Sequence, residues 1–538
     1  MKICLVQTPI NDFYTTEIRN IPLGLLSIGA NIDRQHDVQI LDIRFSIRKT
    51  IAIPEVFNEL KKHYWPGDKS PFGLYKNYYR FGFSRNEFEN IFPKNIDLFG
   101  ISAQFTTYSE NVFEIIHFLK QHRPKCKIVV GGHACAAIPG SFIKIGADYE
   151  IYGEGELALP KLINAITNKQ KDLSTIPNLI WKNDNKVTKN KQKLIQNLDF
   201  LNFPDYNLKG TPTYTLSGKK HAMLMISRGC PNKCSFCCIH QVMGNQYRAR
   251  SMENVLLELD QKISQHFHSF DFEDDHFGGD KAWLSTFLDK VIDKYGHLDL
   301  SFQAMNGITA TNLDEEILKK MKKAGFSSLN LALVSENEIQ QCNLNRPFNT
   351  KKFALLVELA EKHGFFITAY LILGLPYHTI EQMLDSILYL AKLPVLIGPS
   401  FFYLIPSTPI FDKCQLSTDL LADKRTYRSS FMPLETENFS RRDLITLFRL
   451  IRIVNFQKEI ANLNIRSKYL LKDNQIILPD NINGKSKRYQ LGLALIDIMK
   501  IRKKIYGATK VDKNVFELKE EEVDWEIVEK YLRGMSNF

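Results

Sequence analysis

The sequence lacks both a disulfide framework and a long apolar run. Nine cysteines occur in 538 residues, and only the four between Cys230 and Cys238 stand close together. Scattered cysteines are typical of proteins in a reducing compartment, so we expect a cytoplasmic protein. The longest apolar stretches, near residues 365–375 and 393–405, are too short or too interrupted by proline to cross a bilayer. The apolar run within residues 1–9 is too brief for a signal peptide.

Charge of one sign is not concentrated in any block. The formal net charge is +11, but the basic residues are spread along the whole chain. Charge alone therefore identifies no acidic partner, and we do not expect nucleic acid to be one. Hydrophobic residues make up 44% of the chain and charged residues 24%, which argues against disorder. The length predicts two or three hydrophobic cores.

Strand-like and helix-like patterns alternate in residues 1–166. This order predicts a doubly wound parallel sheet, in which ligands bind beyond the carboxyl ends of the strands. The predicted strands are Lys2–Gln7, Val38–Asp42, Asp97–Ser102 and Lys127–Val130, and the predicted helices are Leu23–Arg34 and Glu110–Gln121. An aromatic-rich insertion at residues 64–92 is longer than an ordinary connection. It is either a functional lid or a packing element between domains.

The rest of the chain divides into three segments. Residues 167–215 are polar and predict a linker with a small hairpin turning at Asn183–Asn185. Residues 216–415 hold six βα units and predict a partial (β/α)6 barrel with its functional loops at the carboxyl-terminal rim. Its predicted strands are Ala222–Ser227, Phe270–Phe272, Leu300–Met305, Ser328–Leu333, Phe366–Leu373 and Ser400–Leu404. Residues 416–538 are mainly helical by pattern, without a strand series; 515–533 predict a closing helix.

Three clustered cysteines carry the clearest chemical signal. Cys230, Cys234 and Cys237 form a C-x3-C-x2-C triplet with Phe236 before the last thiol. Three thiolates do not complete a four-ligand shell, so one coordination position is left for another molecule. This arrangement predicts an enzyme. A zinc site completed by Cys238 or His240 is the alternative, although zinc ligands usually come as two separated pairs.

The triplet after the first strand of a partial barrel resembles the radical S-adenosylmethionine (SAM) superfamily. The resemblance is to the subgroup that carries an amino-terminal cobalamin-binding domain. It implies that the three thiolates hold a 4Fe–4S cluster, that SAM occupies the fourth iron, and that a 5′-deoxyadenosyl radical forms. The implied contacts to SAM, at the ends of later barrel strands, are Asp274, Asp275, Ser335, Glu336, Gly374 and Pro376. The acidic residue common before that serine is here Val334.

The amino-terminal segment resembles the cobalamin-binding domain of the same subgroup. Small and hydroxyl-bearing residues after its later strands allow close approach to a flat corrin. The implied contacts are Ser102, Thr106, Thr107, Gly131, Gly132, His133, Gly153 and Glu154. The loop after Gln7 lacks the Asp-x-His-x-x-Gly pattern that supplies an imidazole to cobalt. We therefore expect cobalamin to bind without that histidine; the alternative is a scaffold that has lost its ligand.

The resemblance implies cobalamin-dependent methylation of an unactivated carbon or phosphorus centre in a small molecule, lipid or peptide. It also implies an electron donor such as flavodoxin or ferredoxin. Methylation predicts both 5′-deoxyadenosine and S-adenosylhomocysteine as products. Ring closure, rearrangement or oxidation on the same scaffold predicts deoxyadenosine alone, and a non-enzymatic sensor of cobalamin or iron–sulfur is the third hypothesis. The sequence assigns no catalytic side chain and does not identify the substrate.

Overall fold

The computed structural model describes residues 1–16, 21–183, 186–346, 348–414, 416–461, 463, 465–482 and 484–536. Its amino-terminal part is an α/β unit. The elements are β1 (Lys2–Gln7), β2 (Ile10–Asp12), α1 (Leu23–Ala30), β3 (Asp37–Asp42), β4 (Arg48–Ile51), β5 (Tyr78–Phe81), α2 (Phe88–Ile91), β6 (Leu98–Ser102), α3 (Ser109–His122), β7 (Lys127–Gly131), α4 (His133–Ala137), α5 (Ser141–Ile145), β8 (Tyr149–Ile151), α6 (Gly155–Thr167), β9 (Leu179–Asn183) and β10 (Lys186–Lys189).

The main sheet of this unit has the strand order β10-β9-β8-β7-β6-β1-β3. The five neighbouring strands β3, β1, β6, β7 and β8 of this sheet are parallel, which confirms the doubly wound sheet. The order reverses between β1 and β6, where such folds bind ligands. All of β1 except Lys2 is buried because both faces of the sheet are covered. The hairpin predicted in the linker is β9 and β10, which extend this sheet; Asp184 and Asn185 lie outside the described residues.

The aromatic insertion packs against the carboxyl-terminal segment, as the second of its two interpretations expects. The Tyr64 hydroxyl donates a hydrogen bond to the Ser430 carbonyl at 2.8 Å, and the Trp65 indole donates to Glu521 at 3.1 Å. The insertion also supplies β5, which pairs with β2 and β4 in a small antiparallel sheet. It therefore connects the loop after β1 to residues more than 350 positions away in the chain.

The central part is the predicted partial barrel. Its elements are β11 (Thr215–Leu216), β12 (Lys219–Leu224), β13 (Ser227–Arg228), α7 (Ile239–Val242), β14 (Arg248–Ala249), α8 (Met252–Ser264), β15 (Ser269–Phe272), α9 (Lys281–Tyr295), β16 (Ser301–Gln303), α10 (Glu315–Ala324), β17 (Ser328–Val334), α11 (Glu338–Asn343), α12 (Thr350–Lys362), β18 (Phe366–Leu373), α13 (Ile380–Lys392) and β19 (Leu396–Phe401).

The six expected barrel strands are β12, β15, β16, β17, β18 and β19. They run parallel in two groups of three, and the isolated parallel bridges Phe302–Phe326 and Ile308–Leu331 connect the groups. The bounds of several strands differ from the prediction, and those of the first and last strands differ most. The first strand ends at Leu224 rather than Ser227, because Ser227 and Arg228 pair antiparallel with β14. The last strand begins at Leu396, where it pairs with Thr368.

The carboxyl-terminal segment is mainly helical, but the expectation of no strand series there was wrong. Its elements are α14 (Thr418–Ala422), α15 (Arg441–Ile460), β20 (Leu470–Lys472), β21 (Gln475–Ile477), α16 (Gly484–Arg502), β22 (Tyr506–Lys510), β23 (Val515–Glu520) and α17 (Trp525–Ser536). The four strands form an antiparallel sheet. The predicted closing helix starts only at Trp525, because Phe516 and Leu518 are buried at the two-residue period of a strand.

Hydrophobic packing joins the three parts. One cluster of buried side chains extends from Ile3 on β1, through Leu224 and Leu371 in the barrel, to Phe448 and Tyr531 near the carboxyl terminus. No helix among the described residues is long and apolar enough to cross a bilayer.

Candidate cofactor site

A cavity of about 770 Å³ lies between the amino-terminal sheet and the barrel. One wall is the carboxyl-terminal edge of β6, β7 and β8, and the opposite wall is the cysteine loop after β13. A third wall is contributed by residues 427–429 of the carboxyl-terminal segment. The two sites that the sequence predicted separately therefore open into one space.

The cysteine loop begins at a glycine that the backbone requires. Gly229 has φ of +80°, and a β-carbon there would lie 2.3 Å from the Gln246 carbonyl oxygen. Cys230, Cys234 and Cys237 all line the cavity. Burial raises the pKa of Cys237 to about 12. Burial therefore keeps this thiol protonated, and the proton must leave when the thiolate binds a metal.

The three thiols do not form a site for a single metal ion such as zinc. Among the described residues, no three His, Cys, Asp or Glu side chains are grouped closely enough to hold one metal ion. An iron–sulfur cluster needs only one thiolate on each of three irons, so its ligands stand further apart. Cys238 lines the cavity, but His240 does not. The zinc alternative gains no support from this geometry.

Two carboxyl groups after β15 contact the start of the cysteine loop. Asp274 accepts hydrogen bonds from the Ile226 amide at 2.9 Å and from the Ser227 hydroxyl, and Asp275 accepts one from the Gly229 amide at 2.8 Å. Both side chains line the cavity. Burial raises the pKa of Asp274 to about 7, although the bonds from Ser227 and Ile226 oppose this shift. These two predicted SAM contacts lie beside the thiols.

The other four predicted SAM contacts lie outside the cavity lining. Ser335 and Glu336 follow β17, and the Ser335 hydroxyl accepts a hydrogen bond from the Asn337 amide at 3.2 Å. Gly374, with Pro376 two residues on, follows β18, and a β-carbon at Gly374 would lie 3.1 Å from Leu444 of α15. Packing against that helix accounts for this glycine, so its role at SAM stays a prediction.

Arg346 lines the cavity and was not among the predicted site residues. Its guanidinium donates a hydrogen bond to the Ala332 carbonyl at 3.1 Å. Arg346 is a basic residue in the connection after β17, the fourth barrel strand. Because the functional loops of such barrels follow the strands, this position could have identified it as a site residue.

All eight predicted cobalamin contacts line the cavity: Ser102, Thr106, Thr107, Gly131, Gly132, His133, Gly153 and Glu154. Gly132 has φ of +125°, and a β-carbon there would lie 2.5 Å from the Ala103 carbonyl oxygen. A β-carbon at Gly153 would lie 3.0 Å from Asn178, so these glycines allow the loops to pack closely at the edge of the sheet. The large cavity beside them suits a large flat ring. The residues present therefore fit a corrin.

The loop after Gln7, which lacks the Asp-x-His-x-x-Gly pattern, brings the carboxylate of Asp12 to the cavity. The Asp12 carboxylate accepts a hydrogen bond from the Tyr108 hydroxyl and lies 3.6 Å from the Arg428 guanidinium. Arg428 is buried, and its guanidinium carbon is 5.3 Å from the Phe57 ring centroid and 5.6 Å from that of Tyr108.

We call residues 425–430 the roof segment, because it closes the cavity from the carboxyl-terminal side. Arg428 donates a hydrogen bond to the Asn11 carbonyl at 2.9 Å, and the Thr107 hydroxyl donates to the Arg425 carbonyl at 3.3 Å. No local sequence pattern indicates this contact, because its partners are more than 300 residues apart.

Glu154 lines the cavity, but its carboxylate is already engaged. It accepts hydrogen bonds from Arg228 and Arg248 at 3.0 Å and from the Ile195 amide at 2.6 Å. Glu154, a predicted cobalamin contact, therefore also links the amino-terminal unit to the barrel.

Comparison with known proteins agrees with this geometry. The model of the radical SAM superfamily matches residues 224–390, and that of the B12 binding domain matches residues 87–163. An uncharacterized methyltransferase of Pyrococcus horikoshii is 23% identical over 481 residues, which cover 88% of this chain and 94% of the relative. Cytidylyl-2-hydroxyethylphosphonate methyltransferase of Streptomyces wedmorensis is 22% identical over 66% of this chain and 69% of its own.

The solved structure of the radical SAM methyltransferase TsrM from Kitasatospora setae, with cobalamin and a 4Fe–4S cluster bound, shares the fold. It superposes with a TM-score of 0.58 at 16% identity over 77% of each chain. The expected cofactor set of a 4Fe–4S cluster, SAM and cobalamin is confirmed for this chain. The chain carries a radical SAM domain preceded by a B12-binding domain, and the proteins that it resembles include cobalamin-dependent radical SAM methyltransferases.

Proposed function

We propose that this enzyme methylates an unactivated carbon or phosphorus centre of a small molecule, lipid or peptide inside the cavity. The observation that carries the proposal is that the cysteine loop and the corrin-fitting edge of the sheet line the same space. A methyl group and a radical generated at these two walls meet the same substrate without crossing solvent. Relatives include a hopanoid C-2 methylase of Rhodopseudomonas palustris, 25% identical over 55% of this chain.

Each wall supplies a defined binding role. Cys230, Cys234 and Cys237 would hold the cluster, and Asp274 and Asp275 orient the loop that carries them. When bound, the cluster with SAM supplies a 5′-deoxyadenosyl radical, and the corrin supplies cobalt for methyl transfer. The residues after β6, β7 and β8 would hold the ring, and the roof segment would shield the reacting centre from part of the solvent.

The substrate would lie below the roof segment. Tyr14, Tyr108, Tyr403 and Ser429 line the cavity and combine hydroxyl groups with apolar ring surface. The Tyr108 hydroxyl also donates to Asp12, and the Ser429 hydroxyl accepts from the Phe401 amide at 2.8 Å. Such a lining suits a substrate with both apolar and hydrogen-bonding parts. The hypothesis of a sensor does not explain this third wall.

We also propose a cytoplasmic enzyme that receives electrons from a flavodoxin or ferredoxin. All nine cysteines are free thiols, five of them buried, which suits a reducing compartment. A cluster that must be reduced before SAM cleavage requires a one-electron donor, and small redox proteins supply one.

The cluster assignment is tested by anaerobic reconstitution of wild type, Cys234→Ala and Cys238→Ala. We expect an iron–sulfur chromophore and cleavage of SAM in wild type and in Cys238→Ala, because Cys238 stands outside the triplet. Cys234→Ala should lose both. Retained cleavage in Cys234→Ala would contradict the assignment, and loss in Cys238→Ala would revive a four-cysteine site.

Methyl transfer is tested by the products. Titration with cobalamin should show binding, and turnover should release S-adenosylhomocysteine as well as 5′-deoxyadenosine. Deoxyadenosine without S-adenosylhomocysteine would favour a cyclisation or oxidation. A relative of that second class exists: the anaerobic magnesium-protoporphyrin IX monomethyl ester cyclase of Synechocystis, 23% identical over 65% of this chain.

A further inference from the structure

The tripeptide Ser227–Arg228–Gly229, directly before Cys230, contacts both halves of the cofactor site. The Ser227 hydroxyl and the Gly229 amide donate hydrogen bonds to Asp274 and Asp275 on the barrel side. The side chain of Arg228 extends to the other side, where it meets the loop after β8 in the cobalamin-binding unit. Three consecutive residues thus connect alternately to the two walls of the cavity.

The contact of Arg228 across the domains is short and buried. Its guanidinium donates to Glu154 at 3.0 Å and to Glu156 at 2.7 Å, and Arg248 donates to both Glu154 oxygens at 3.0 and 3.1 Å. The four side chains are between 0% and 9% exposed. The Ser27 hydroxyl completes the group with a bond to Glu156 at 2.8 Å.

The placement of the two arginines requires these carboxylates. Arg228 and Arg248 are direct partners in the antiparallel pair of β13 and β14. Like charges directly opposite each other in a sheet repel, so the pair is tolerated because Glu154 bridges it. Burial raises the pKa of Glu156, but the charge and hydrogen bonds of Arg228 outweigh this and lower it below its usual value. Glu156 is therefore ionised at neutral pH.

Stability alone is a poor explanation for such a network. Buried ion pairs recover little more than the cost of removing the charges from water, and apolar side chains of similar volume often stabilise as well. A planar guanidinium with two carboxylate partners does fix distance and orientation, since several bonds must be satisfied together. What this group fixes is the strand residue directly before the loop that holds the thiols, relative to the edge that fits the corrin.

We propose that Arg228 is a positioning residue that sets the separation and tilt between the cluster site and the corrin site. The proposal rests on the proposed function, because it assumes that both cofactors act on one substrate. Glu154 and Glu156 are its anchors on the cobalamin-binding unit, and Arg248 holds Glu154 in place. Lysine in place of Arg228 would keep the charge but contact only one carboxylate at a time.

The test measures the distance between the cofactors directly. Holoenzyme is partly reduced with dithionite so that the cluster and cob(II)alamin are both paramagnetic, and pulsed electron paramagnetic resonance records their dipolar coupling. We expect one narrow distance distribution in wild type and a broadened or shifted one in Arg228→Lys and in the milder, nearly isosteric Glu156→Gln. Iron and cobalamin contents should stay unchanged.

A second readout needs no substrate. With a strong reductant, the single-turnover formation of S-adenosylhomocysteine from SAM and bound cobalamin should slow by about 10- to 100-fold in Arg228→Lys, since misplacement by about 1 Å costs rates of that order. Arg80→Lys is the matched control. Arg80 forms a partly buried ion pair with Glu114 at 2.8 Å within the amino-terminal unit, and this change should alter neither readout.

An unchanged distance distribution in both network variants would overturn the proposal, even if their melting temperatures fell, because it would leave only a structural role. Failure of the proposed function looks different. Wild-type enzyme would then bind no cobalamin, or would form no S-adenosylhomocysteine while its distance distribution still responded to Arg228→Lys.

Discussion

Asp274 is a buried carboxyl group whose ionisation the fold opposes. Its pKa of about 7 lies above the ordinary 3.8, so between these values the folded protein retains a proton that the unfolded chain releases. The free energy of unfolding should therefore fall as the pH rises from 4 to 7, with this residue contributing about 1.4 kcal/mol per pH unit. Asp274→Asn removes that contribution.

Urea unfolding of the metal-free protein between pH 4.5 and 7 checks this expectation. The difference in the free energy of unfolding between wild type and Asp274→Asn should change steadily with pH in that window. A difference that stays constant would show that the carboxyl group ionises normally in its site. Measurements at constant ionic strength keep surface charges from contributing.

At the scale of secondary-structure elements, alanine substitution at two helical glycines should change the free energy of unfolding in opposite directions. A β-carbon at Gly492 on α16 would lie 2.2 Å from the ring of Phe456 on α15, whereas one at Gly24 on α1 meets nothing within 4 Å. Gly492→Ala should cost about 1–3 kcal/mol, because the buried ring must move. Gly24→Ala should gain up to about 1 kcal/mol from helix propensity.

Chemical denaturation of the two variants checks this pair against wild type. Equal effects of the same sign would contradict the close approach of α15 and α16. The carboxyl-terminal sheet should be unaffected in Gly24→Ala, since that residue lies in the amino-terminal unit.

Local patterns made most elements predictable. The barrel strands follow apolar runs bounded by helical periodicity, and the cysteine triplet depends only on spacing along the chain. The carboxyl-terminal sheet escaped prediction because β20 and β21 are three residues each, too short to show a period. The partners of Arg228 were not predictable, since Glu154 and Glu156 stand more than 70 residues away and only the packed domains bring them together.

For the whole molecule, the continuous buried cluster predicts one cooperative transition. Its side chains come from all three parts of the chain, from Ile3 to Tyr531, so none of the parts retains its full core alone. Calorimetry of the metal-free protein should give a single peak with equal calorimetric and van't Hoff enthalpies. Two resolved peaks would show that the shared core is not energetically continuous.

Because the roof segment is synthesised late, the loading of cobalamin should depend on when the cofactor is supplied. The edge that fits the corrin leaves the ribosome early, whereas residues 425–430, which contact the amino-terminal unit through Arg428 and Arg425, leave more than 250 residues later. During that interval the edge is open to a bulky ligand; in the finished protein, the roof segment narrows the way to it. Cobalamin present while cells make the protein should therefore load a larger fraction of molecules than cobalamin added after purification.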